Sequence, residues 1–76
     1  MITTTLAELE RSRLSAAEGE PETWAKGIDD NGAEVRLPVC SFVRNHNSTA
    51  TVELWDREGE ITVELVSEEE FNEIGK

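Results

Sequence analysis

Seventy-six residues with 37% apolar and 32% charged side chains suffice for one small core and exclude a multidomain chain. The formal net charge of −10 disfavours nucleic acid or an anionic membrane as a direct partner, since phosphate binding needs lysine and arginine; it permits a basic partner, and equally serves to keep a small protein soluble. A single cysteine, Cys40, and a single histidine, His46, exclude an internal disulfide and a structural zinc site of four N/S ligands.

A domain of this size without such a staple can gain buried area from a second copy, so a homodimer is an open option. The opening MITTTLAELE has neither a basic start nor a long apolar run, so neither a signal peptide nor a membrane span is expected. The lone thiol suits a reducing compartment, which makes the cytoplasm the expected location.

The first predicted element is a helix over residues 5–18. Thr5 stands three residues before Glu8, the spacing of a capping box, in which hydroxyl and carboxylate each satisfy free N–H groups of the first turn. Leu6, Leu9, Ala16 and Ala17 fall on one side at helical periodicity, with Leu14 at the edge. Gly19 provides the stop and Pro21 prevents continuation.

Four strands follow. TWAKGI (23–28) is rich in β-formers, and DDNG (29–32) reads as a tight turn because Asn-Gly tolerates positive φ. AEVRLPVCSFV (33–43) alternates, with Val35, Leu37, Val39 and Val43 on one face; Pro38 cannot donate to a ladder, so the strand bends or forms an edge there. RNHNS (44–48) is a polar loop. TATVELWD (49–56) and ITVELV (61–66) flank the turn REGE (57–60) and form a hairpin, with Ala50, Val52, Leu54, Ile61, Val63 and Leu65 facing one way.

The chain closes on a second predicted helix, where Ser67 and Glu70 repeat the capping-box spacing, Phe71 and Ile74 would pack down, and Gly75 ends the element. The expected architecture is α+β: an N-terminal helix packed on a four-stranded antiparallel meander, with a short C-terminal helix. A small five-stranded barrel, broken at Pro38, is the alternative.

Charge is distributed unevenly. Residues 35–52 contain no acid and carry +2, whereas residues 53–76 contain nine acids and carry −7. The acids of the second block are Glu53, Asp56, Glu58, Glu60, Glu64, Glu68, Glu69, Glu70 and Glu73. Two acid-bearing strands could approach the phosphate charge density of DNA. Here, however, the face opposite Val52, Leu54, Val63 and Leu65 shows Thr51, Glu53, Trp55, Thr62, Glu64 and Val66, with the other acids in the turn and the helix. This is a cluster rather than a regular ladder. Trp55 falls among the acids; the favoured expectation is that the terminal helix or a barrel closure covers it, and the alternative is an anchor of the kind common at interfaces. Trp24 reads as core. Cys40, Phe42, Trp55 and Val66 share the second face, which suggests that it is partly covered.

Catalytic readings have little to rest on. A nucleophilic Cys40 would need a basic neighbour and an orienting group, and only His46 is near in sequence. DDNGAE lacks the ligand count of a calcium loop, and there is no glycine-rich phosphate loop. The expectation is a protein without enzyme activity, cofactor or metal.

In size, acidity and lack of catalytic features the chain resembles small phage-encoded inhibitors, the type that includes anti-CRISPR proteins and DNA mimics. That resemblance implies binding to, and blocking of, the basic surface of a nucleic-acid-binding protein. The residues expected to meet it are the nine acids of 53–76 together with Trp55. A structural subunit of a phage or complex, and an immunity-type protein that neutralises a basic nuclease, are the competing expectations.

Overall fold

The computed structural model describes residues 1–16, 19 and 23–74. The elements in chain order are β1 (Ile2–Thr5), α1 (Leu6–Ala16), β2 (Ala25–Ile28), β3 (Glu34–Leu37), β4 (Val39–Arg44), β5 (Thr49–Leu54), β6 (Glu60–Val66) and α2 (Glu68–Ile74). The fold is α+β, as expected, but the sheet has six strands in the order β3-β2-β1-β6-β5-β4 and is mixed. β1 and β6 run parallel in the middle, with Ile2 opposite Val63 and Thr5 opposite Val66; every other pair is antiparallel.

The sequence reading missed β1 and took residues 33–43 as one strand. Pro38 divides that segment, and its halves form the two outermost strands of the sheet. Only one residue joins them, so the sheet must curl until its edges converge at Pro38. It does not close: β3 and β4 form no ladder with each other, and the barrel alternative is reached only as an open curl.

A β-bulge between Val39 and Ser41 strengthens the bend, as an extra residue in one strand does. It also reverses the expected facing. Past the bulge Phe42 stands opposite the buried Val52 and packs against the core, while Val43 turns outward and is 67% exposed. The sequence reading had those two residues the other way round.

The core comprises Leu9, Ala25, Leu37, Val39, Ala50, Val52, Leu54 and Val63, packed inside the curl. Helix α1 plugs it. Thr5 Oγ1 accepts from the Glu8 N–H at 3.1 Å, so this half of the capping box forms. The Glu8 carboxylate turns instead to the Lys26 N–H (3.2 Å) and to Arg11 (3.1 Å), tying the helix to β2. Of the expected apolar stripe, Leu9 and Ala16 are buried, Leu6 is half-buried and Leu14 is exposed; Ala17 lies outside the described residues. Arg13 stacks over the Phe42 ring at 5.6 Å from its centroid, covering the side chain the bulge brought inward.

The most buried polar group on α1 is Ser12. Its Oγ donates to the Thr23 carbonyl at 3.0 Å, accepts from the Val39 N–H at 3.2 Å and lies 3.5 Å from the Leu37 carbonyl. Extending the β2–β3 register beyond Ala25–Leu37 sets Thr23 opposite Val39. Ser12 therefore wedges into the rung where β2 parts from the bent strand, and satisfies backbone groups that the splay would otherwise leave bare.

On the outer face, α2 lies against β1. Ser67 caps it, its Oγ accepting from the Glu70 N–H at 3.1 Å. Phe71 is half-buried and shares a cleft with Ile28 and Lys26. Ile74 is exposed, so Phe71 alone anchors the helix; Gly75 lies outside the described residues. With α1 inside and α2 outside, the central strand β1 has a helix against it on each face.

Gly27 marks the tightest point of the curl. A Cβ there would come within 2.7 Å of Ile2 Cγ2 and 3.2 Å of Val35 Cγ2. Gly27→Ala should therefore lower stability by about 1–3 kcal/mol, the usual cost of overpacking, read as a fall in the urea midpoint at unchanged slope.

Candidate functional site

All ten residues expected to form a binding surface are exposed: Glu53, Trp55, Asp56, Glu58, Glu60, Glu64, Glu68, Glu69, Glu70 and Glu73. They do not form one cluster. Glu60, taken from sequence as a turn residue, is the first residue of β6 and stands directly opposite Glu53. Cross-strand neighbours of this kind hold their Cβ atoms about 5 Å apart, and like charges so placed repel. Glu53 also accepts a hydrogen bond from Ser41 Oγ at 3.3 Å on its other side.

Glu64 lies four residues further along β6, about 13 Å away at the rise of a strand, opposite Thr49 and beside Thr3 of β1. Between the two positions the face is neutral, with Thr51 opposite Thr62. The acids thus occupy two poles. One is at the β5–β6 turn, with Glu53, Asp56, Glu58 and Glu60. The other surrounds α2, with Glu64, Glu68, Glu69, Glu70 and Glu73.

The ion pairs among the described residues are the N-terminal ammonium with Asp30, Arg11 with Glu8, and Arg57 with Asp56. Among the described residues Asp56 is the one candidate acid with an ion-pair partner, and the Arg57 Nε–Asp56 Oδ1 separation of 3.5 Å lies on an exposed surface where such a pair contributes little.

The tryptophans overturn the favoured expectation at both positions. Trp55 is 47% exposed; neither α2 nor a barrel closure covers it. Trp24, expected in the core, is 42% exposed. The reason is register. Ala25 pairs with Leu37 and Leu54 with Val39, all four buried and facing in, so the residues one step away face out. The Trp55 N–H donates to the Pro38 carbonyl at 2.9 Å, and continuing β2 by one residue sets Trp24 opposite Pro38 from the other side. Both tryptophans of the chain therefore flank Pro38 at the outside corner of the curl, with backbones about 10 Å apart, two strand spacings.

Known proteins provide no template for this site. No family model matches the chain, and neither does any curated protein or solved structure.

Cys40 is half-buried at the bulge, whereas His46 is exposed in the β4–β5 turn at the far end of the strand. Six residues of extended chain would separate them by about 20 Å, well beyond the reach of a hydrogen bond. No group of three or more His, Cys, Asp or Glu among the described residues is placed to hold a metal ion. Among the described residues no helix is long and apolar enough to cross a membrane.

Proposed function

We propose that this protein is a non-catalytic binding module that docks its acidic outer face onto a basic protein surface of the kind used to hold nucleic acid, and so blocks it. The observation that carries the reading is the Glu53–Glu60 pair. Two glutamates directly opposite each other on an exposed face cost stability, and among the described residues no basic side chain forms an ion pair with either. A partner's lysines and arginines would remove that repulsion on binding. The exposed Trp55 beside this pole supplies the desolvated anchor that charge alone lacks. The two-pole arrangement suits a partner with two basic patches separated by a neutral strip better than the evenly spaced phosphates of DNA. The reading is therefore of a charge-complementary inhibitor rather than a regular DNA mimic. The lone thiol of Cys40 favours action in a reducing cytoplasm.

The test is capture of a partner by the tagged protein at low and high salt, followed by assay of that partner's nucleic-acid binding. Opposite charges steer association, so captured partner should fall steeply as ionic strength rises, and nucleic acid should compete with this protein for it. Capture that ignores salt, or a captured partner that binds nucleic acid equally well in its presence, overturns the reading.

A second reading rests on β4, an edge strand whose outward Val43 is largely bare. Unpaired strand edges recruit other strands, and a homo-oligomer formed there would suit an assembly subunit. Light scattering separates the two: a discrete oligomer that Val43→Lys dissolves supports assembly, and a monomer at high concentration removes it.

A further inference from the structure

We infer that the Trp24–Pro38–Trp55 corner is the seat for an arginine side chain of the partner, an inference that rests on the acidic-face reading and gives it a specific point of contact. Four observations converge on the corner. Register and the Trp55–Pro38 hydrogen bond place the two indoles on either side of one proline, and both face outward. Each keeps more than two-fifths of its surface in solvent, whereas Pro38 is fully buried. The corner thus presents two aromatic side chains around a rigid, closed floor.

Charge then selects the occupant. Moving from Trp55 along β5, the next outward residue is Glu53, itself opposite Glu60, and Asp56 follows Trp55 directly. Moving from Trp24 along β2, the next outward residue is Lys26, opposite Arg36. The corner is therefore unevenly charged: Glu53, Glu60 and Asp56 outnumber Arg57, the partner of Asp56, on the Trp55 side, while Lys26 and Arg36 stand on the Trp24 side with the Glu8 carboxylate on the Lys26 N–H. A cation entering it is drawn over Trp55 and repelled from the far end.

A guanidinium fits these demands better than an ammonium. It is planar, stacks on an aromatic face, is more weakly hydrated, and reaches a carboxylate with two parallel N–H donors. Glu53, the next outward residue from Trp55, and Asp56, which follows Trp55 and would exchange its exposed pair with Arg57, are the acids closest along the chain. An uncharged proline-rich segment would use the indoles but leave the acids idle, and a nucleic acid would stack on the indoles while meeting repulsion from the acids.

The two tryptophans are the only ones in the chain and there is no tyrosine, so intrinsic fluorescence reports on the corner directly. The experiment titrates the intact protein with capped peptides of alternating arginine and glycine, of lysine and glycine, and of proline alone, and with a single-stranded oligonucleotide. Affinity is followed in parallel by calorimetry. The arginine peptide should quench or shift the emission and bind severalfold more tightly than the lysine peptide, while the proline peptide and the oligonucleotide leave the emission unchanged. Trp55→Ala should weaken the arginine peptide about tenfold, Trp55→Phe should restore part of the loss, and Lys26→Glu with Arg36→Glu should tighten binding. Urea midpoints of each variant show that the fold is kept.

Equal affinity for the two cationic peptides overturns the arginine assignment, as does tighter binding of the proline peptide or the oligonucleotide. Calorimetric binding of cationic peptides without any change in emission places their site elsewhere on the acidic face; the corner then fails while the acidic-face reading stands. If no cationic peptide binds at all, both fail.

Discussion

Ser12→Ala should be among the most destabilising single changes in this protein, lowering its unfolding free energy by about 2–4 kcal/mol. The substitution removes one oxygen and leaves the Thr23 carbonyl and the Val39 N–H without the partner that now serves both. The Val39 N–H is buried and, left unsatisfied, costs about 1–3 kcal/mol, whereas the part-buried Thr23 carbonyl loses only the ~1 kcal/mol of a net hydrogen bond. A chain of 76 residues has a total stability of roughly 4–11 kcal/mol, so the loss takes a large share of it. Alanine is the better helix former, which offsets only a few tenths. Equilibrium unfolding in urea checks this, with Glu10→Ala, an exposed change on the same helix, as the control. A midpoint for Ser12→Ala that matches the control would show that the splayed rung is satisfied in some other way. The same corner carries Pro38 and both tryptophans, so the variant should also shift the tryptophan emission before global unfolding begins.

That wedge illustrates what the sequence could and could not convey. Elements specified by neighbours in the chain were legible. Thr5 and Ser67 cap the helices they were expected to cap, and the turns at 29–32 and 57–60 have Gly32 and Gly59 at positive φ. The exposure of the acids from Glu53 to Glu73 followed from alternation and from the helix boundary. Features that depend on distant partners were not legible. Ile2–Thr5 is a run of β-branched residues, yet its status as a central strand depends on Val63–Val66, at the other end of the chain. Its most buried member, Thr4, is polar and tolerated because its hydroxyl donates to the Lys26 carbonyl at 2.6 Å. The reversal of Phe42 and Val43 follows from one bulged residue, to which a period of two is blind. Trp24, ambiguous from the sequence and expected in the core, is exposed. Its exposure follows from Ala25 facing in, and the facing of Ala25 is set by its register with Leu37.

The largest functional effect should come from the acidic pair, and it separates binding from stability. Glu60→Lys replaces a repulsion opposite Glu53 with an attraction and leaves the Ser41–Glu53 hydrogen bond in place. Cross-strand pairs of opposite charge contribute roughly 0.2–1 kcal/mol, so the variant should be the more stable protein, with a melting temperature higher by about 1–8 °C. Its affinity for a basic partner should nevertheless fall about tenfold, because one attraction at the docking face becomes a repulsion. Adding Glu53→Lys restores a like-charge pair, now of two cations, and gives up the Ser41 contact. Stability should therefore fall back to about the starting value or slightly below, while affinity drops further, to about a hundredfold loss in all. Stability should thus rise and then fall through the series as binding falls throughout, and thermal melts with binding isotherms at one fixed salt concentration trace both. If these glutamates served only to keep the protein dispersed, the single and double variants would bind the captured partner as tightly as the parent. If the pair were instead relieved by a basic group within the fold, Glu60→Lys would be the less stable protein.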